Sequence, residues 1–180
     1  KCGILVKAQE VLEELPRRNV ACWNALITGY AQQGQGKEAL NCLEQMLKEG
    51  ISPDEVTFLC VLSACSHAGL LDDAEILFES MRTKYGIHPN LEHYTCMVDM
   101  LGRAGQLGNV VMMVMMMPFQ PNLVTWITFL GACKKWNNME LGKQAFVHIM
   151  QLDGKNVASS CVCISNIYSQ MDLQDYVLAI

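Results

Sequence analysis

Apolar residues recur along this chain at i, i+3, i+4 and i+7, one face of a helix with 3.6 residues per turn. Trp23, Leu26, Ile27 and Tyr30 set the pattern. Phe58, Leu62 and Cys65 repeat it, as do Tyr94, Met97, Val98 and Leu101, and then Trp126, Phe129, Leu130 and Cys133. Gly34, Gly69 and Gly105 follow the first three runs, and glycine commonly ends a helix in the left-handed conformation. A second amphipathic run comes next: Ala39, Leu40, Leu43 and Met46 in one case, Ala74, Leu77, Phe78 and Met81 in the following one. Gly50-Ile51-Ser52-Pro53 and Gly86-Ile87-His88-Pro89 then interrupt the chain, because proline cannot continue a helix. The pattern predicts consecutive helical hairpins.

These hairpins hold a fixed period. Trp23, Phe58, Tyr94 and Trp126 are 35, 36 and 32 residues apart, and Ala39, Ala74, Val110 and Gly142 keep the same three steps. Pro53, Pro89 and Pro121 follow at 36 and 32. A period in this range marks a repeat array, in which each hairpin buries its apolar face only by stacking on a neighbour. The aromatic and methionine stripes therefore read as core packing, and the small residues at 39, 74 and 142 let paired helices approach closely. Val110–Met117, apolar on every side, is an unusual second helix: a sticky surface or a drifted sequence.

Composition narrows the chemistry. The chain has 180 residues, 51% hydrophobic and 17% charged, and no apolar run approaches the ~20 residues that span a bilayer, so no membrane partner is expected. Its nine cysteines are scattered and odd in number, which reads as reduced, buried thiols of an intracellular compartment rather than a disulfide framework. Zinc fits poorly: there is no CxxC, and neither Cys161–Cys163 nor Cys65 with His67 has a second ligand pair at metal spacing. No cofactor is expected. A net charge of −5 argues against a strong nonspecific polyanion binder. It leaves room for a sequence-reading module whose acidic residues, such as Glu38, Glu44, Asp72 and Asp73, face outward from the second helices. The opening stretch "KCGILVKAQEVLEELPRRN" reads as a second helix without its first, with no signal or transit peptide in view.

"VACWNALITGYAQQGQGKEALNCLEQMLKEGISPD" resembles a plant pentatricopeptide repeat almost throughout. "EVTFLCVLSACSHAGLLDDAEILFESMRTKYGIHPN" looks like its long variant, and "LEHYTCMVDMLGRAGQLGNVVMMVMMMPFQPN" like its short variant. The remainder is similar to the two extension motifs that close the array in the subfamily alternating standard, long and short units. The resemblance divides the chain into a partial short unit (1–19), a standard unit (20–54), a long unit (55–90), a short unit (91–122), a first extension motif (123–156) and a truncated second one (157–180). It implies an all-α, right-handed α-solenoid of stacked helix-turn-helix repeats. Three features depart from the pattern: Asn137 stands at the usual glycine of the fourth turn, "VVMMVMMM" replaces a charged helix, and "SSCVCISNIY" lacks the usual tyrosine.

Members of that subfamily bind single-stranded RNA in mitochondria or chloroplasts, most of them as specificity factors for cytidine-to-uridine editing. The resemblance implies about one base read per repeat, selected by the fifth and last residues of each unit. In the unit starting at Val20 these are Asn24 and Asp54, which implies uridine. A carboxylate only accepts hydrogen bonds, and uracil N3–H donates where cytosine N3 accepts. Thr95 and Asn122 in the short unit imply adenine, because an amide both donates to N1 and accepts from N6–H2. In the long unit the fifth residue is Leu59, without a polar group, and Asn90 is last. Asn19 closes the partial unit. Second residues Ala21, Val56 and Glu92 are implied to flank the bases, an acid at 92 being a poor stacking wall. Capping alone also explains Asn19, Asp54, Asn90 and Asn122, since each immediately precedes a helix.

Editing chemistry in the family belongs to a downstream zinc deaminase-like domain, which needs an HxE and a CxxC. His67, His88, His93 and His148 have no Glu two residues on. The chain is therefore expected to have no catalysis of its own, with other editing factors or a deaminase supplied in trans as partners. The alternative function is a protein-interaction scaffold, for partner editing factors or for peptides in the manner of tetratricopeptide repeats.

Overall fold

The computed structural model describes residues 2–153, so the expectations for 157–180 and for Cys161 and Cys163 lie outside the described residues. Among the described residues there are nine α-helices and no strand: α1 (Cys2–Glu14), α2 (Val20–Gln32), α3 (Gly36–Lys48), α4 (Glu55–Ala68), α5 (Leu71–Thr83), α6 (Leu91–Arg103), α7 (Leu107–Met116), α8 (Leu123–Lys135) and α9 (Met139–Asp153). This is the all-α helical-repeat fold the periodicity predicts. No described helix is long and apolar enough to cross a membrane. The chain divides into two compact units, Lys1–Met100 and Leu101–Ile180.

In the first unit α2 packs on α3 and α4, and α4 packs in turn on α3 and α5. The first helix of the second hairpin thus covers the face that the first hairpin leaves open. Trp23, Ile27, Phe58, Leu62 and Cys65 are almost fully buried, as are Ala39, Met46, Ala74 and Met81 from the second helices. Burying a side chain of this size contributes about 1.5–3 kcal/mol. Tyr94 departs from the pattern. It is only half-buried and meets Phe78 edge-on, with ring centroids 5.1 Å apart. Glu38, Glu44, Asp72 and Asp73 are exposed on the second helices, as their spacing predicts.

The hairpin turns explain two glycines. Gly69 ends α4 at φ 71°, and its N–H reaches back to Cys65 and Ser66 carbonyls, a left-handed position that glycine occupies without a Cβ penalty. Gly36 is needed for a different reason. A Cβ there would stand 2.6 Å from Ala68 Cβ and 3.0 Å from the Ala64 carbonyl, so the start of α3 lies directly on the end of α4. Gly36→Ala is expected to destabilise the chain. Overpacking costs about 1–3 kcal/mol, more than the ~1 kcal/mol that alanine gains in helix propensity. A lowered thermal midpoint by circular dichroism checks this.

The second unit packs α8 on α9 and α7 around Phe129, Leu130, Cys133, Phe146 and Ile149. Asn137, the departure from the glycine pattern, takes φ 51°, a conformation that asparagine tolerates better than most residues. The Asn138 N–H then closes the turn on the Cys133 carbonyl at 2.8 Å. The methionine-rich helix is not apolar to no purpose: Val110, Val114 and Met117 are buried, while Met112, Met115 and Met116 are exposed.

Cys42, Cys65 and Cys133 are buried, as the helical spacing predicts for the last two, whereas Cys96 is half-buried. Burial pushes the Cys42, Cys65 and Cys133 thiols up to about 12 and Cys96 to about 11. These four stay protonated at neutral pH and are poor nucleophiles and metal ligands.

Candidate nucleic-acid interface

The residues the family resemblance singles out lie at or near the N-termini of first helices, those up to Thr95 in the first unit and Asn122 in the second. Four Asx residues cap those helices through their side-chain oxygens. Asn19 Oδ1 accepts from the Cys22 N–H at 3.0 Å, and Asp54 Oδ1 from the Thr57 N–H at 2.8 Å. Asn90 Oδ1 accepts from the Glu92 and His93 N–H groups at 3.1 and 3.2 Å. In the second unit Asn122 Oδ1 accepts from the Thr125 N–H at 2.9 Å. Each bond satisfies one of the N–H groups a helix start leaves open. Capping is thus a real role of all four, whatever else they do.

One cap is joined to a second repeat position. Asn24 Nδ2 donates to Asp54 Oδ1 at 3.1 Å across thirty residues of chain, and Thr57 Oγ1 donates to Asn24 Oδ1 at 2.7 Å. The Asp54 N–H returns to Thr57 Oγ1 at 3.1 Å, which completes a capping box. Asn24 is 9% exposed, so its amide is set into the surface rather than projecting from it. Burial pushes the Asp54 carboxyl up, but the backbone and hydroxyl bonds of Thr57, the Asn24 amide and its own backbone N–H outweigh that. The net shift is downward, and Asp54 is a carboxylate at neutral pH.

The neighbouring position is built differently. Leu59 is half-buried and carries no polar group. Where Asp54 has Thr57, Asn90 has His93, fully buried, with Nδ1 2.6 Å from Asn90 Oδ1 and Nε2 3.0 Å from the Glu55 carbonyl. Burial lowers the His93 pKa, opposed by the Glu55 carbonyl and by the charges of Glu55 and Glu92. Polar groups therefore link the starts of α2, α4 and α6 in one line, from Asn24 through Asp54 and Glu55 to Asn90.

The remaining predicted residues fall as follows. Ala21, Val56 and Glu92 are exposed, Val56 to 54%. Thr95 is half-buried and donates to the Leu91 carbonyl at 2.8 Å. Asn122 lies in the second unit. Sequence reasoning missed Thr57 and His93. The Asp-x-x-Thr spacing at 54–57 is a capping-box signal, but its tie to Asn24 depends on stacking. Among the described residues no cluster of three or more His, Cys, Asp or Glu is placed to hold a metal ion.

Comparison with known proteins gives a consistent result. A model described as the PPR repeat family matches residues 18–67, and one described as the PPR repeat matches 56–85 and 92–118. Pentatricopeptide repeat-containing protein At5g56310 of Arabidopsis thaliana is 42% identical over 97% of this chain and 33% of its own length. The chloroplastic pentatricopeptide repeat-containing protein At3g57430 of the same plant is 41% identical over 97% of this chain and 20% of its own length. The chain thus spans a third or less of these relatives. Among solved structures, the pentatricopeptide repeat protein PPR10 in complex with an 18-nt psaJ RNA element superposes with a TM-score of 0.72 at 17% identity, over 79% of this chain and 21% of that one. The PPR domain of Arabidopsis thaliana protein-only RNase P 1 in complex with tRNA gives 0.70 at 15% identity, over 93% and 91%. At these identities the two structures speak to the fold.

Proposed function

Since this chain belongs to the pentatricopeptide repeat family, we propose that it binds single-stranded RNA at about one base per repeat, as a site-recognition factor for cytidine-to-uridine editing in a mitochondrion or chloroplast. The repeats run 20–54, 55–90 and 91–122, in the standard, long and short order of the editing subfamily, with extension motifs after them. The observation that carries the reading is the Asn24–Asp54 bond at 3.1 Å. It joins the fifth residue of one unit to its last, the two positions that select the base in this family. The RNA complexes named among the structural neighbours support RNA as the ligand class.

The Asn24–Asp54 pair takes uridine, and Thr95 with Asn122 takes adenine. Asn19 and Asn90 close their units, while Ala21 and Val56 border the bases. Leu59 leaves the middle position without hydrogen-bond readout. The deaminase that converts the cytidine acts in trans or from another part of the full protein. Affinity of this segment is modest, because Glu55 and Glu92 stand beside the capped helix starts and repel phosphate.

Short oligonucleotides varied at two positions test this. RNA with U at the first unit's position and A two nucleotides further 3′ binds more tightly than its scramble by fluorescence anisotropy. Thr95→Asn moves the second preference from A towards a pyrimidine. An unchanged profile in that variant contradicts readout by the short unit.

A second reading as an interaction scaffold has one observation in its favour, the exposed Met112, Met115 and Met116 on α7. A partner captured equally well after RNase treatment, with no RNA shift, supports it.

A further inference from the structure

The Asn24–Asp54 pair presents a definite face only if the Asn24 amide cannot exchange its two ends. Its geometry shows what prevents that. A carboxylate only accepts, so the amide turns Nδ2 towards Asp54 Oδ1, 3.1 Å away. At the other end stands Thr57 Oγ1, 2.7 Å from Asn24 Oδ1 and 2.8 Å from Asp54 Oδ1. The hydroxyl has one proton to give. Asp54 Oδ1 already accepts from the Thr57 N–H and from Asn24, so the proton lies mainly towards Asn24 Oδ1, the shorter contact, with a weaker share to Asp54 Oδ1. A hydroxyl lone pair receives the Asp54 N–H at 3.1 Å.

After these bonds the pair keeps the second N–H of Asn24, a second lone pair on Asn24 Oδ1 and the second oxygen of Asp54. A donor stands beside an acceptor. Uracil offers the complement, O4 accepting next to N3–H donating. Cytosine offers the reverse order, N4–H2 donating next to N3 accepting. Were the amide end-for-end reversed, its oxygen would face the Asp54 carboxylate and the N–H beside Asp54 would be lost.

We infer that Thr57, the third residue of the following repeat, is a positioning residue for base selection: its hydroxyl holds the Asn24 amide donor-outward and so sets uracil over cytosine. The inference rests on the proposed reading of RNA by Asn24 and Asp54. The neighbouring junction is built from other residues. There the fifth residue is Leu59, which has no amide to orient, and the third residue of the next repeat is His93 rather than a threonine. His93 serves Asn90 and the Glu55 carbonyl instead. At the junction after the short unit the third residue is again a threonine, whose Thr125 Oγ1 donates to Asn122 Oδ1 at 3.0 Å, although the fifth residue there is Thr95; a hydroxyl at this place therefore also serves a cap where no amide precedes it.

Thr57 is fully buried, so Thr57→Val keeps shape and removes the hydroxyl, while Thr57→Ser keeps the hydroxyl. The chain and both variants are titrated with four oligonucleotides that differ only in the base at the first unit's position, and thermal midpoints are measured alongside. The expected result is a U-to-C affinity ratio about tenfold lower in Thr57→Val, the worth of roughly one hydrogen bond, and near the parent value in Thr57→Ser. A ratio unchanged in Thr57→Val, with only the midpoint lowered, overturns the role of Thr57 and leaves it a capping residue. A parent chain without any U-to-C discrimination overturns the underlying reading as well, so the two failures are told apart.

Discussion

Phe58→Ala lowers the unfolding free energy by about 3–5 kcal/mol, the usual cost of emptying a buried aromatic site. Phe58 has no exposed surface and meets Tyr85 edge-on, with ring centroids 5.2 Å apart and planes at 61°. It sits on α4, the helix that packs on α2, α3 and α5. In a repeat array stability is roughly a sum of unit terms and nearest-neighbour terms, so loss at α4 weakens both of its interfaces together. Tyr94→Ala at the equivalent register is milder, because Tyr94 is half-buried and less of its surface is removed from water. Urea denaturation followed by far-UV circular dichroism checks both. Because Asp54 and Thr57 stand at the start of the same helix, RNA binding falls with stability in Phe58→Ala.

Substitution of Asp54 separates capping from base selection. Asp54→Ala removes the cap of α4, a loss of about 0.5–2 kcal/mol, and leaves Asn24 Nδ2 and the Thr57 N–H without the oxygen they share. Asp54→Asn caps a helix about as well as aspartate, so its stability stays within roughly 0.5 kcal/mol of the parent. The carboxylate is gone, however. An amide can turn a donor to the base where the carboxylate could only accept. Uracil then loses its advantage over cytosine by about tenfold, one hydrogen bond's worth, while the midpoint hardly moves. Anisotropy with U- and C-bearing RNA and a thermal melt measure the two effects in the same samples. An Asp54→Asn variant that keeps the parent's base profile means the residue only caps.

Much of the fold was legible because an array repeats its evidence. The 35- and 36-residue steps of Trp23, Phe58 and Tyr94 locate the first helices, and Gly34, Gly69 and Gly105 locate their ends, all with φ between 69° and 80°. Tyr94 was misplaced in depth, because register gives a residue's face but not how far its neighbours cover it. Asn137, which departs from the glycine pattern, adopts the positive φ of that position. On α7 a run of methionines hid an ordinary alternation, since residues of one type carry no amphipathic signal.

The candidate site was legible in part. The family resemblance supplies Asn24, Asp54, Asn90 and Asn122 as candidates, and the capping of the last three follows from the helices behind them. What register cannot give is a side-chain bond across thirty residues, which exists only once α2 and α4 are stacked. Thr57 was overlooked for that reason. Its spacing from Asp54 is local, but its proton goes to a different hairpin.

Reading of bases by position in an RNA strand implies a defined consensus in the RNA this chain binds. Selection from a pool of randomised single-stranded RNA, followed by sequencing of the bound fraction, tests it most directly. The expected result is enrichment of U at one position and A two nucleotides towards the 3′ end, with the position between them unselective. A bound fraction with no positional preference, or one set by composition alone, contradicts it.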